Sequence, residues 1–421
     1  MTIKNKVSVI GLGYVGFPLA HLLGKTKKYE VCGFDIDENK INRIKKGLSP
    51  IEEKKFNDIY FQASTDNKIL SNSKFYIVCV PTPVKNKRIP DFKPIIKSCE
   101  TITKYLKKGQ HVIIESTINP GVCEEIVQPI LEKSGLKAGK DFELSHCPER
   151  INPGDPKWNL SNLPRNLGSL STKGLNEAYN LYTSFINAEI KKVSSIKIAE
   201  AAKIIENTFR DINIAFVNEL AKSFDVLGID LLETIQAASS KFSFMAHYPS
   251  CGVGGHCIPV DPYYLIQRAK KNGFNHTFVK RAREINNSMP KYTIELLEKL
   301  LNSKKKTLKD CKITLLGLSY KSNLNDLRES PALEILKQLK AKNIKVKSFD
   351  PHIPLKSDFK NIKEALQFAD AVILATSHNE FLSITGAMLK ANKIIAIVDG
   401  KNCLDKANIQ KSGILYKGIG H

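Results

Sequence analysis

The sequence predicts an α/β protein made of two doubly wound parallel-sheet units joined by a helical segment. Three observations predict it. Short apolar runs alternate with amphipathic stretches over residues 1–190. The same alternation returns after residue 304. Between them, residues 197–227 contain neither glycine nor proline. Strands alternating with helices imply a parallel sheet with right-handed crossovers.

In order, residues 6–10 read as a short buried strand, 15–23 as a helix, 31–36 as a strand and 39–46 as a helix. Residues 75–80 and 111–115 are two further strands. A long helix is expected over 196–227, with Ile198, Ala202, Ile205, Phe209, Ile212, Phe216 and Leu220 on one face. Its length suits a spine that connects domains or packs on a second subunit. Helical periodicity continues over 263–271 and 277–287. Lys304, Lys305 and Lys306 read as a solvated linker. Beyond it come strands at 312–316, 345–350, 371–375 and 394–399, with a helix at 331–340. The expected organisation is a Rossmann-like domain over 1–190, a central helical domain over 191–304, and a second, smaller Rossmann-like domain over 305–421.

The 421 residues exceed one ordinary core. Their 42% hydrophobic and 25% charged content is that of a soluble globular chain. No apolar run is long enough to span a bilayer, and residues 1–6 lack the features of a signal peptide, so the cytoplasm is the expected compartment. The nine cysteines form no Cys-x-x-Cys pair, which argues against a disulfide framework and a zinc site. Cys79, inside an apolar run, reads as a core residue. The net charge of +22 is spread along the chain. It reads as a lysine-rich surface that attracts anionic ligands, and not as a nucleic-acid footprint.

Three motifs carry chemistry. In Gly11-Leu12-Gly13-Tyr14-Val15-Gly16 the glycines follow a strand and open a helix, where backbone must approach a pyrophosphate closely. Asp35 ends the next strand, at the place of a carboxylate that binds a ribose hydroxyl and would repel a 2′-phosphate. This favours NAD. In Gly252-Val253-Gly254-Gly255-His256-Cys257-Ile258-Pro259-Val260-Asp261, a thiol follows a glycine-rich stretch. Cysteine thiolate is suited to covalent capture of a carbonyl. If the segment turns helical, Asp261 shares a face with Cys257. A buried structural cysteine in a turn is the alternative, and His256 reads as structural. On the long helix, Lys203, Asn207 and Arg210 form a donor-rich stripe suited to an oxyanion, or else an exposed face of ion pairs. Thr82 and Thr117 follow strand ends, where open α/β sheets bind ligands.

Taken in order, these motifs resemble the UDP-glucose/GDP-mannose dehydrogenase family over essentially the whole chain. The resemblance is strongest to the branch that oxidises C6 of UDP-N-acetylhexosamines. It rests on Cys147-Pro148-Glu149-Arg150-Ile151-Asn152-Pro153-Gly154 and on Gly254-Gly255-His256-Cys257 followed by Asp261-Pro262-Tyr263-Tyr264. It implies an NAD domain, a central domain used for dimerisation and a C-terminal UDP-binding domain, with a homodimer or higher homo-oligomer. It also implies a four-electron oxidation through a thiohemiacetal and a thioester on Cys257. Lys203 and Asn207 would stabilise oxyanions, Asp261 would tune or deprotonate a nearby group, and Thr117 and Glu149 would position water. Gly11, Gly13, Tyr14, Val15, Gly16, Asp35, Lys40, Thr82, Thr117 and Arg328 would hold NAD. Arg150, Ile151, Lys203, Asn207, Arg210, Gly254, Tyr320, Lys321 and Lys401 would hold the UDP-sugar. UDP-N-acetylglucosamine is expected ahead of its galacto and manno epimers, for polysaccharide precursor synthesis.

The sequence departs from the family at Tyr248-Pro249-Ser250-Cys251, at Lys241-Phe242-Ser243-Phe244, and at Lys40 and Lys401. Cys251 suggests a regulatory disulfide with Cys257. The competing activities are UDP-glucose oxidation and a two-electron oxidation of the β-hydroxyacid type, which needs no nucleophilic cysteine. Neither a metal, a membrane nor a nucleic acid is expected.

Overall fold

The structure, a computed structural model, describes residues 4–51, 55–56, 58–85, 88–151 and 157–421. They fall into two compact units. One is Met1–Glu206 with Tyr263–Gly273; the other is Asn207–Pro262 with Phe274–His421. The helical middle of the chain is thus shared between the units, and Lys304–Lys306 lies inside the second.

In the first unit the elements are β1 (Lys6–Ile10), α1 (Gly16–Lys25), β2 (Glu30–Phe34), α2 (Glu38–Lys45), β3 (Gln62–Ser64) and β4 (Phe75–Val78). A two-strand hairpin, β5 (Val84–Lys85) and β6 (Ile89–Pro90), precedes α3 (Lys93–Thr103), β7 (His111–Ile114) and α4 (Gln128–Leu131). Then come β8 (Glu143–His146), β9 (Arg165–Ser169), α5 (Thr172–Thr183), β10 (Ile190–Lys192) and the start of α6 (Ile196–Leu227). The main sheet has the order β10-β9-β8-β7-β4-β1-β2-β3. All its pairings are parallel except β8 with β9. Both faces are covered, which is why the central strands β1, β4 and β7 are buried along nearly their whole length and not on alternate residues. One core gathers Val7, Val9, Ile77 and Ile113 with α1 and α5; the other gathers Ile10, Val78, Ile114 and Leu144 with α3 and α4.

The second unit holds the rest of α6, α7 (Leu231–Ala238), the start of α8 (Asp261–Lys271) and α9 (Thr277–Asn302). It continues with β11 (Ile313–Leu316), α10 (Pro331–Ala341), β12 (Val346–Phe349), α11 (Ile362–Phe368), β13 (Ala371–Leu374), α12 (Gly386–Ala391), β14 (Ala396–Asp399), α13 (Lys406–Lys411) and β15 (Leu415–Gly418). Its sheet is fully parallel, in the order β12-β11-β13-β14-β15. Helix α9 packs on α10 and β14.

The expected bounds of α6 match, but its apolar stripe is not a core face: Ile198, Ile205, Phe209 and Phe216 are exposed. Helix α9 runs well past residue 287, straight through Pro290. Its buried face, with Met289, Thr293, Leu296, Leu297 and Leu301, repeats at helical spacing and outweighs the missing N–H of the proline. Among the described residues no helix is long and apolar enough to cross a membrane.

A buried polar chain joins α6 to α9. Arg283 pairs with the Asp211 carboxylate and donates to Asn287 Oδ1 at 2.7 Å. Asn286 Nδ2 donates to the Asp211 carboxylate at 2.8 Å, and Asn218 Nδ2 donates to Asn286 Oδ1 at 2.9 Å. The Ser250 N–H donates to Asn218 Oδ1 at 2.9 Å, so the chain ends at the loop that leads to Cys257. Breaking a buried pair by removing one partner strands the other charge. Arg283→Met is therefore expected to cost roughly 3–5 kcal/mol in denaturant unfolding, with part of the loss recovered in Arg283→Met/Asp211→Leu.

Candidate active site

The dinucleotide cradle forms where β1 turns into α1. Close packing requires glycine at 16, because a Cβ there would lie 1.8 Å from the Gly11 carbonyl oxygen. At Gly13 a Cβ would meet nothing within 4 Å, so the loop offers bare backbone to open space. Asp35 is buried beside it. Its Oδ2 accepts the Leu12 N–H at 2.8 Å and pairs with Lys40 Nζ at 3.2 Å. Tyr14 stands partly exposed on the loop, and Val15 is the residue just before α1. A cradle with bare amides, a helix N-terminus and a carboxylate at the neighbouring strand end fits the pyrophosphate and ribose of NAD. Across the sheet edge, Thr82 is buried and its carbonyl accepts the Tyr264 hydroxyl; Thr117 is half-buried.

The ends of β7 and β8 lie over a buried charged cluster. Arg165 Nη1 pairs with Glu115 Oε2 at 3.0 Å, and the Tyr182 hydroxyl donates to Glu115 Oε1 at 2.6 Å. Just beyond β8, Glu149 is almost buried and accepts the Ile151 N–H at 2.6 Å. Arg150 pairs with Glu206 and donates to the Pro164 carbonyl at 2.9 Å, and Ile151 packs against the core. The Asn152–Gly154 part of this motif lies outside the described residues.

On α6, Lys203 (in the first unit) and Asn207 (in the second) are buried, whereas Arg210 is exposed. The three thus do not form one uniform stripe. In the second unit the segment after Cys257 does turn helical, since the Asp261 N–H donates to the Cys257 carbonyl at 2.9 Å. Asn207 Nδ2 donates to Asp261 Oδ2 at 2.6 Å. Asp261, Asn207 and the Cys257 backbone are therefore brought together. The glycines before the cysteine are required by Tyr320. A Cβ on Gly254 would lie 2.5 Å from the Tyr320 Cβ, and Gly255 has φ +93° with the Tyr320 ring against it. The Gly255 N–H also donates to the Arg328 carbonyl at 2.9 Å. Arg328 itself belongs to the second unit, where its guanidinium pairs with Asp326. Cys257 is half-exposed. Cys251 is buried with its thiol directed at the Ala375 carbonyl, 3.4 Å away, and burial raises its pKa. No disulfide joins the two.

Lys321 and Tyr320 follow β11 on a loop set by Asp350. The Asp350 Oδ2 accepts the N–H groups of Leu318 and Ser319 at 2.7 and 2.9 Å and faces His378 Nε2 at 3.1 Å. His378 Nδ1 accepts the Asn323 N–H at 2.9 Å. Lys401 follows β14, its N–H bonded to Asp399 at 3.0 Å. Sequence reasoning missed His378 and Arg165, and read Glu115 only as a strand end. A lone arginine in the strand 165–169 was the one available signal, since a cation there must be buried and paired. Among the described residues one group of possible metal ligands, His352, His378 and Glu380, occurs. Both His378 nitrogens are already engaged within the fold.

Comparison with known proteins bears directly on this geometry. Residues 5–186 match the NAD binding domain, 197–288 the central domain and 314–406 the UDP binding domain of one family. The chain belongs to the UDP-glucose/GDP-mannose dehydrogenase family. It is accordingly an NAD-dependent oxidoreductase. It is 40% identical over 390 residues to a UDP-N-acetyl-D-glucosamine 6-dehydrogenase of Pseudomonas aeruginosa, covering 89% of this chain and 91% of that one. It is 36% identical over 426 residues to protein CapL of Staphylococcus aureus, covering 98% and 100%. The solved structure of a UDP-D-ManNAc dehydrogenase from Pyrococcus horikoshii superimposes with a TM-score of 0.91, at 33% identity and 99% coverage of each chain.

Glu200, one turn before Lys203, ties α6 to the loop after Thr117. Its Oε1 accepts the Cys123 N–H at 2.8 Å, and its Oε2 accepts the Gly121 N–H. Burial drives its pKa up from 4.5 to about 7, against the lowering effect of the two N–H donors. A raised folded-state pKa gives stability that is full below the unfolded value and is lost as pH rises through the folded one. The stability of the wild type relative to Glu200→Gln is therefore expected to fall between pH 4.5 and 7, by at most ~3 kcal/mol, in urea unfolding across that window.

Proposed function

We propose that the enzyme oxidises C6 of UDP-N-acetyl-D-glucosamine to the uronic acid in two successive two-electron steps. The observation that carries the reading is the joining of Asn207, Asp261 and the Cys257 turn in the second unit, with Asn207 donating to Asp261 at 2.6 Å. The choice of sugar is supported by the 40% identity to the P. aeruginosa enzyme of that name. The product suits polysaccharide precursor synthesis.

NAD, held by Gly11, Gly13, Tyr14, Val15, Gly16, Asp35, Lys40, Thr82, Thr117 and Arg328, supplies the hydride acceptor for both oxidations. Asp261 takes up the proton released as the C6 alcohol becomes an aldehyde. The Cys257 thiolate adds to the C6 carbonyl and forms a C–S bond. Lys203 and Asn207 donate to the oxyanion of this thiohemiacetal, a preorganised electrostatic contribution. After the second oxidation the carbon is a thioester. Thr117 positions water, and Glu149 takes a proton from it as it adds to the carbonyl; the second proton is released to solvent as the acid ionises. The C–S bond then breaks, the thiolate leaves and the carboxylate is released. Arg150, Ile151, Arg210, Gly254, Tyr320, Lys321 and Lys401 hold the UDP-sugar. A nucleophilic thiol suits a reducing compartment, which supports the cytoplasm as the site of the reaction.

Turnover with each UDP-N-acetylhexosamine, read as NADH and product mass, tests this. Two NADH per uronate are expected with the gluco sugar, and Cys257→Ser is expected to lower uronate formation by at least ~10³-fold. One NADH per sugar, or full activity without the thiol, would sink the proposal.

We also propose a homodimer built on the exposed stripe Ile198, Ile205, Phe209 and Phe216 of α6, whose large apolar side chains recur along about five turns of one helix. Light scattering is expected to give twice the chain mass for the wild type and a shift towards the monomer for Phe209→Lys/Phe216→Lys. A monomeric wild type would exclude it.

A further inference from the structure

Strand β8 ends at His146, beside the last residue of β7 and at the carboxyl end of the parallel strands, where α/β folds gather their ligands. Side chains alternate along a strand, so Leu144 and His146 share a face. Leu144 packs in the core that includes Ile114 and Ile196, the first residue of α6. Lys203 lies seven residues beyond Ile196 on that helix, on the same side. It is buried, and its charge acts on the imidazole.

The His146 ring is fully buried, and neither ring nitrogen has a hydrogen-bond partner among the described residues. The molecule does not treat its other buried histidines this way. His111 meets Ser145 Oγ at 2.8 Å, and His378 uses both nitrogens. An orphaned buried polar group is destabilising and calls for a water or a neighbouring group to complete it. Burial holds the His146 pKa down at about 3. The Ile114 carbonyl opposes this without reaching hydrogen-bond geometry, and the Lys203 cation adds to the lowering. At neutral pH the ring therefore offers a lone pair, and an ammonium has only donors to offer in return.

We infer that His146 is a positioning residue for Lys203: its imidazole accepts a hydrogen bond relayed from one ammonium N–H through one bridging water, and so aims the others at the oxyanion formed at C6. The inference rests on the role given to Lys203 above. A lysine reaches its target through four rotatable carbons, so anchoring one donor removes freedom that would otherwise be lost at the transition state. A space-filling role would be served equally well by phenylalanine. An acceptor role would not.

The test compares His146→Phe with His146→Gln in steady-state turnover, alongside Lys203→Met. The Phe variant is expected to lower kcat about tenfold with KM for the UDP-sugar changed less than about twofold, and the Gln variant, which keeps an acceptor, to recover to within about threefold of wild type. Equal kcat in the Phe variant and the wild type would overturn the inference. So would equal losses in the Phe and Gln variants. Should the Phe variant not fold, nitrogen-15 histidine spectra of the wild type and Lys203→Met decide: the acceptor nitrogen of His146 shifts when the lysine is removed, and an unmoved signal refutes the contact. Full turnover in Lys203→Met would instead sink the role assigned to the lysine itself.

Discussion

The second unit depends on one buried polar chain, from Arg283 and Asp211 through Asn286 and Asn218 to the Ser250 backbone. An apolar helix interface would have held α6 and α9 together with less desolvation cost. What the polar chain adds is register. Each amide in it has a donor and an acceptor to satisfy, so sliding either helix by one residue would leave several groups unpaired. Because the last acceptor takes the Ser250 N–H, the fixed register is transmitted to the loop that carries the thiol. The same loop is pinned further on by Cys251 N–H to the Gly400 carbonyl at 3.0 Å and Gly255 N–H to the Arg328 carbonyl at 2.9 Å. The loop that carries Cys257 is therefore held by its own backbone.

The two sheets use a common device at their first crossover and put it to different ends. Gly11 N–H meets the Phe34 carbonyl at 2.8 Å, and Gly317 N–H meets the Phe349 carbonyl at 2.8 Å. Leu12 N–H meets Asp35 at 2.8 Å, and Leu318 N–H meets Asp350 at 2.7 Å. The next position differs. Gly13 leaves open space, while Ser319 closes it and bonds to His378 at 3.0 Å. Bare amides beside open space suit a pyrophosphate that must come close to backbone. A filled and cross-bonded loop suits presentation of side chains, here Tyr320 and Lys321.

Much of this was legible in the sequence because it follows from local rules. A strand, a glycine turn, a helix and an acid at the next strand end specify the first crossover without knowledge of the rest, and the bounds of α6 follow from periodicity and the absence of glycine and proline. The turn that brings Asp261 back to Cys257 was readable as an i, i+4 spacing. What was not legible depends on partners distant in sequence. Asn218 and Asn286 are ordinary polar residues on helices until each is seen to be the other's partner. The exposed side of α6 and its buried side are both apolar, so composition alone could not say which faces a core. Helix α9 passes Pro290 because tertiary packing overrides a local breaker. The antiparallel β9 breaks the expected parallel pattern, and only its buried Arg165, answered by Glu115 just past the end of β7, hints at a special place.

The net charge of +22 takes its meaning from these sites. Many of the cations are already answered within the fold: Lys40 by Asp35, Arg150 by Glu206, Arg165 by Glu115, Arg283 by Asp211, Arg328 by Asp326. The unbalanced surplus is lysine spread over the surface, which raises a diffuse positive potential and reads no sequence or shape. Such a field suits small, multiply charged anions whose final placement is decided elsewhere, by backbone amides and a few fixed side chains. The dinucleotide and the nucleotide-sugar each carry a diphosphate. A chain that must gather both in turn gains from broad attraction at long range and from preorganised donors at short range. The orderly pairing of its buried charges keeps the first from disturbing the second.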